Sequence, residues 1–201
     1  MADTPTDRES TDVEVAIMEA TYRALREHGY ADLTMRAIAE EYGKTTAAIH
    51  YHYDTKDDLL VAFLEYLLDK FLDHVHDARE AEAEPERHLG DLLDGLLIDR
   101  EGDYDLVCAL LEMRAQAPYH DAIREQLVRN DEYIRDVFAT VIADGVERGV
   151  FRDDVDPDAA ASALITIVKG ARTRFVVLAD PSVLHVARDV AGTYVADVLE
   201  V

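Results

Sequence analysis

The residues best equipped for chemistry lie between Thr34 and Lys56, in the run TMRAIAEEYGKTTAAIHYHYDTK. Ala39 and Gly43 read as the small residue and the reversing glycine of a helix-turn-helix. Ala39 must be small because a second helix crosses close to it, and Gly43 supplies the positive φ that so short a turn requires. Ile38 and Tyr42 belong to the first of these helices, and Ile49 faces back to pack under it. Thr45 or Thr46 caps the second helix and turns its free amides toward a phosphate. The outer side of that helix would carry Thr46, Ala47, His50 and Tyr51. These side chains are short or flat and polar-tipped, suited to base edges and phosphates in a major groove. The bland alternative is a small helical hairpin with no nucleic-acid role.

Other chemistry is poorly served. Gly145 and Gly149 flank a helix end and form no phosphate-cradling loop. His74 and His76 are two apart on a helix, as are His50 and His52, so each pair points to different faces. His88 and Asp91 share a face but lack a third ligand. Cys108 has no neighbouring base and is expected to be a buried structural thiol. No catalytic group, metal site or cofactor is therefore expected. A single cysteine forms no internal disulfide, which fits a reducing compartment.

Helical periodicity runs through the chain and β-branched alternation never persists, so an all-α fold of nine helices is expected. Residues 1–11 read as a disordered leader. Helices follow over about Asp12–His28, Thr34–Tyr42, Thr45–Tyr51 and Thr55 to beyond Val75. After the break at Pro85 they cover about Glu86–Ile98, Asp105–Gln116, His120–Arg148, Pro157–Leu178 and Pro181–Leu199. A division at 12–54 and 55–201 follows. The longest apolar run, Leu59–Leu64, is far short of the ~20 residues of a membrane span. The acidic, polar N-terminus is no secretory signal, so a cytoplasmic protein is expected.

Lys plus Arg number 20 and Asp plus Glu 43, a net charge of −23 over 201 residues. Asp outnumbers Glu 26 to 17, and Arg outnumbers Lys 16 to 4. Self-repulsion at this charge destabilises a compact fold in dilute buffer. At 1 M salt the Debye length is about 3 Å and the repulsion is screened. Many short carboxylates with little lysine point to a proteome adapted to high internal salt.

The wider segment GYADLTMRAIAEEYGKTTAAIHYHYDTKDDLL resembles the N-terminal DNA-binding domain of the TetR/AcrR family of transcriptional regulators. The resemblance rests on Gly29, Thr34, Ile38–Ala39, Gly43, the aromatic-rich His50–Tyr51–His52–Tyr53 and Lys56–Asp57–Asp58–Leu59. It covers about residues 12–62, and the remainder agrees only in helix count and length. It implies DNA contacts for Thr34, Thr45, Thr46, His50, Tyr51 and Lys56, with Lys56 clamping the backbone. Ala47 lies on the same reading face. Arg36, at the start of the second helix, is a candidate for a groove-edge base or a phosphate. Lys44 stands where the family usually buries Val or Ile. Its stem would cover that site and leave the ammonium in water near the duplex. His50 replaces the usual Tyr, and Tyr53 the usual Phe. Tyr53 and Ile49 are expected in the core, and His52, which could face either way, is counted with the DNA contacts.

The resemblance also implies an effector pocket in the second half, apolar with a few polar groups. Candidate lining residues are Phe63, Leu67, Leu93, Leu97, Leu110, Met113, Arg114 and Tyr133, although each could be simple core. Arg114, in an apolar helix, could face water or pair with an acidic effector. The last two helices carry wide apolar stripes, Ala163, Leu164, Ile167, Ala171 and Phe175 on one and Leu184, Ala187, Val190, Tyr194 and Val198 on the other. Two such helices per subunit can form a four-helix bundle across a two-fold axis. The expectation is a homodimeric repressor on a palindromic, double-stranded DNA operator, released by a small, partly apolar molecule. The alternative is a dimeric helical sensor or scaffold that has lost DNA binding, motivated by residues 1–60 holding six basic against thirteen acidic residues.

Overall fold

The computed structural model describes the backbone of residues 5–79, 84–97 and 103–199, and the side chains of 12–72, 84–97, 104–197 and 199. Among them are nine α-helices: α1 (Pro5–His28), α2 (Met35–Tyr42), α3 (Thr46–His50), α4 (Lys56–Arg79), α5 (Pro85–Leu97), α6 (Asp103–Gln116), α7 (Asp121–Glu147), α8 (Pro157–Leu178) and α9 (Ser182–Tyr194). The all-α architecture agrees with the sequence pattern. Two ends differ from expectation. The stretch read as a leader over residues 1–11 is helical from Pro5, where proline sits at the first helical position and needs no N–H partner. The last helix gives way after Tyr194 to a π turn over Val195–Leu199. No helix of the described residues is long and apolar enough to cross a membrane.

The chain divides into two compact units, residues 1–68 with 102–128, and 69–101 with 129–201. The division falls inside α4 and α7 rather than at residue 54. In the first unit α1 packs against α2 and α6, and α2 against α3. Its core joins Ile17, Ala20, Ala24 and Leu25 of α1 to Ile38, Ile49, Leu59, Leu60 and Phe63, and to Ala109, Met113 and Ile123. Burying several large aliphatic side chains at about 1.5–3 kcal/mol each is what holds helices as short as α2 and α3, which would not persist alone. In the second unit α8 packs against α9, and both pack against α5. Leu89, Leu92, Leu93, Phe138, Ile142, Leu164, Phe175 and Leu184 are buried there. Asp156 starts α8 by accepting the amides of Asp158 and Ala159 at 3.0 and 3.2 Å, ahead of Pro157.

Candidate nucleic-acid interface

Local chemistry shapes the turn between α2 and α3. Thr34 has an extended backbone, and its hydroxyl accepts the Ala37 amide at 3.0 Å, which starts α2. Gly43 ends it at φ 70°, the left-handed region that a Cβ disfavours. The Lys44 amide then donates back to the Ala39 carbonyl at 3.2 Å. Thr45 caps α3 by accepting the Ala48 amide at 3.3 Å. Ile49 is fully buried and pins this five-residue helix to the first unit's core.

With Ile49 inward, the other faces of α3 turn out. Thr45, Ala47 and His50 are exposed, Thr46 is half-buried, and Tyr51 is 86% exposed. Tyr51 stands at the C-terminal end of α3, opposite the Thr45 cap, with its ring open to a ligand. The His50 Nδ1–H donates to the Tyr53 carbonyl at 3.3 Å, which leaves Nε2 as an acceptor in the neutral ring. Arg36 is exposed and meets Glu40 one turn on, Nε to Oε1 2.9 Å. An exposed pair of this kind contributes little, so the guanidinium can exchange partners at small cost. Lys44 is exposed, as its charge demands. Thr34 is exposed but its hydroxyl oxygen is occupied as a cap.

Two expected contacts are placed otherwise. Lys56 does not present its ammonium to a phosphate. Nζ donates to the Leu33 carbonyl at 2.9 Å and to the Tyr30 carbonyl at 3.5 Å, and lies 4.8 Å from the Tyr30 ring centroid. Burial pulls its pKa below the ordinary lysine value, against an opposing pull from Asp57. Lys56 therefore fastens the α1–α2 loop to the start of α4. His52 is half-buried, packs edge-on to Tyr51, and holds Nδ1 3.9 Å from Glu14 of α1. It faces α1 rather than outward. Tyr53 is partly buried against the core, as expected.

Several positioning residues are invisible in the local pattern. Arg23 of α1 grips the end of α2, with Nε to Glu41 Oε2 at 3.1 Å and Nη2 to the Glu41 carbonyl at 3.0 Å. Glu112 of α6 accepts the Tyr30 amide at 3.0 Å across 82 residues of sequence. Asp57 in the first turn of α4 meets His120 Nδ1 at 2.9 Å, just ahead of α7. Thr55 and Asp58 close a reciprocal cap on α4, with each amide donating to the other's side chain at 3.1 Å. The rigid frame that a reading helix needs thus comes from α1, α4, α6 and the start of α7.

The effector candidates divide between the units. Phe63 and Met113 are buried in the first core, Leu67 and Leu110 pack partly against it, and Arg114 is half-buried on α6. Leu93 and Leu97 are buried in the second unit. Tyr133 is 48% exposed, so it is a surface residue and not an enclosed lining group. Cys108 is half-buried rather than fully so; burial raises its thiol pKa, and a hydrogen bond from Tyr104 opposes that rise. An open groove of about 240 Å³ in the second unit is lined by Arg152, Asp154, Asp156, Tyr194 and neighbouring apolar groups. Its guanidinium is already held twice by Asp154, at 3.0 and 2.8 Å.

The stripes expected to pair two subunits need correction. Leu164, Ala171, Phe175 and Leu184 are buried inside the single chain, where α5, α8 and α9 pack together, so they have no surface left for a partner. Ala163, Ile167, Ala187 and Tyr194 are partly buried, and the Val198 side chain lies outside the described residues. Of the named residues only Val190 is exposed; Val177 and Leu178 at the end of α8 and Val186 on α9 are exposed as well.

Comparison with known proteins agrees with this geometry. Residues 17–63, which contain α2, the turn and α3, match the family of bacterial regulatory proteins, tetR family. Residues 85–200 match the C-terminal domain of BetI-type transcriptional repressors. The chain is 28% identical to the transcriptional repressor AcnR of Corynebacterium glutamicum, over 77% of each chain. It is 27% identical to the regulator TtgR of Pseudomonas putida, over 87% of this chain and 85% of that one. A crystal structure of a TetR transcription regulator from the halophile Haloarcula marismortui is 52% identical, with a TM-score of 0.87 over 94% of this chain and all of that one. The capped, glycine-turned helix pair and the helical second unit together are those of a ligand-responsive, DNA-binding transcriptional repressor, and the chain belongs to the TetR family.

Proposed function

We propose that this protein works in the cytoplasm as a homodimer on a palindromic operator, with α3 of each subunit in a major groove. In this reading residues 12–54 read DNA and 55–201 bind the effector and the second subunit. Half-sites about 34–36 Å apart would let both reading helices engage one side of the duplex. The observation that carries the reading is α3 itself, which buries only Ile49 and leaves Thr45, Ala47, His50 and Tyr51 open. Of the expected contacts, Thr45, Thr46, Ala47, His50 and Tyr51 stay in the reading set, with Arg36 and Lys44 at its edge. Lys56 and His52 become positioning residues.

The exposed valines and leucine at the end of α8 and on α9 support a second-subunit surface there, next to the stripe that the monomer already buries. An effector that favours one arrangement of α4 and α6 would change how the reading helix is held. It acts only through its differential affinity for the two states. The acidic shell fits a saline interior, where cations sit between protein carboxylates and phosphates. Operator affinity should therefore fall only weakly with KCl, or rise, unlike that of basic regulators.

The test is a mobility shift in molar KCl on the DNA upstream of the chain's own coding region. The Thr46→Ala/Tyr51→Ala double variant should lose the shift while keeping the wild-type melting temperature. Unimpaired binding by that variant removes α3 as the reading helix. A wild-type protein that shifts no promoter fragment leaves the sensor without DNA binding as the better reading.

A further inference from the structure

Arg114 lies on α6, directly after the fully buried Met113. Leu110 and Val107, four and seven residues earlier, share its helix face; Leu110 packs against the core and Val107 is buried. The guanidinium is half-buried, yet no carboxylate, carbonyl or ring among the described residues meets it. The other half-buried arginines of the described chain all have partners: Arg135 meets Asp136, Arg188 meets Asp94, and Arg172 is also engaged. Leaving a partly desolvated guanidinium unpaired is destabilising, because charge removed from water needs compensation. Burial also pushes its pKa down with nothing nearby to raise it.

We propose that Arg114 anchors the carboxylate of a small, otherwise apolar effector beside the partly buried Leu110 of α6. This rests on the ligand-responsive reading above. The planar guanidinium offers paired donors that match both oxygens of a carboxylate. A monoanion neutralises the one charge and leaves the site without net charge. A doubly charged phosphate ester would leave an excess negative charge among apolar side chains, which disfavours that class.

The experiment is calorimetric titration of the full-length protein in molar KCl with octanoate, decanoate and benzoate, and with octanamide as the uncharged counterpart. At least one carboxylate should bind, and octanoate should bind at least about tenfold more tightly than its amide. Arg114→Met should lose that preference, and without ligand it should melt no lower than wild type, since it removes an unpaired charge. Absence of binding by every carboxylate, or a preference that survives in Arg114→Met, overturns the proposal. So does a lower melting temperature of the unliganded variant, which would show the guanidinium holding the fold. Mobility shift runs in parallel. A protein that shifts operator DNA but ignores the carboxylates fails at Arg114 alone; one that ignores DNA fails as a regulator, and the titration still decides on Arg114.

Discussion

Replacing Lys56 by methionine separates two roles for a lysine at the head of α4. Methionine keeps the apolar stem and removes the ammonium that bonds the Leu33 and Tyr30 carbonyls at 2.9 and 3.5 Å. A charge-assisted hydrogen bond contributes about 1.5–3 kcal/mol, and the longer contact adds little. The ammonium over the Tyr30 ring adds about 0.5–1 kcal/mol. Desolvation, the cause of the lowered pKa, offsets part of this. The net loss should be about 1–2 kcal/mol, a fall in Tm of roughly 2–8 °C for a chain of this size. The pH dependence has a definite sign. With the folded pKa below 10.5, the unfolded chain holds the Lys56 proton more tightly. Wild-type stability therefore gains a contribution as pH rises through the folded pKa toward 10.5, and the variant lacks it. Calorimetry over alkaline pH reads both effects. Operator binding followed by fluorescence anisotropy across KCl concentrations reads the rival role. A phosphate clamp would change the slope of log K against log [KCl] by about one when removed. An unchanged Tm together with such a slope change would refute the structural assignment of Lys56.

Other perturbations probe the remaining features. Gly145→Ala would drive a methyl into the buried ring of Phe151 and should destabilise by about 1–3 kcal/mol, seen as a lower Tm. Gly43→Ala meets no atom within 4 Å, so its cost should be only the roughly 1–2 kcal/mol of a left-handed alanine, and a clearly larger loss of stability there would contradict this. If the exposed α8–α9 patch is the proposed subunit surface, Val186→Glu/Val190→Glu should give a folded monomer by size-exclusion chromatography where wild type runs as a dimer, whereas Leu164→Ala should chiefly lower Tm, by removing about 2–5 kcal/mol of core packing. The melting temperature should rise from dilute buffer to molar KCl as self-repulsion is screened, and a flat response would contradict the saline reading.

Much of the α2–turn–α3 unit was legible because its signals are local. A threonine cap acts on the amide three residues later, and a reversing glycine acts on its own φ, as Thr34, Gly43 and Thr45 do here. The spacing of Ile38, Ala39 and Ile49 then determines which side of α3 is left for a ligand. The single sequence thus determined the fold class, the turn, the inward and outward faces of α3 and the excess of acid. Contacts across long separations were not legible. Nothing near Lys56 shows that its ammonium will meet carbonyls 23 and 26 residues earlier, nor does Glu112 reveal its bond to the Tyr30 amide. The stripes of α8 and α9 show the same limit. An apolar helix face satisfies an internal core and a subunit interface equally well, so periodicity marked the stripes but not their destination. Only the packing of α5, α8 and α9 together decided it, with Leu164, Phe175 and Leu184 buried and Val177, Leu178, Val186 and Val190 left in water. Burial is a property of the whole chain's geometry, whereas a helix cap is a property of four neighbouring residues.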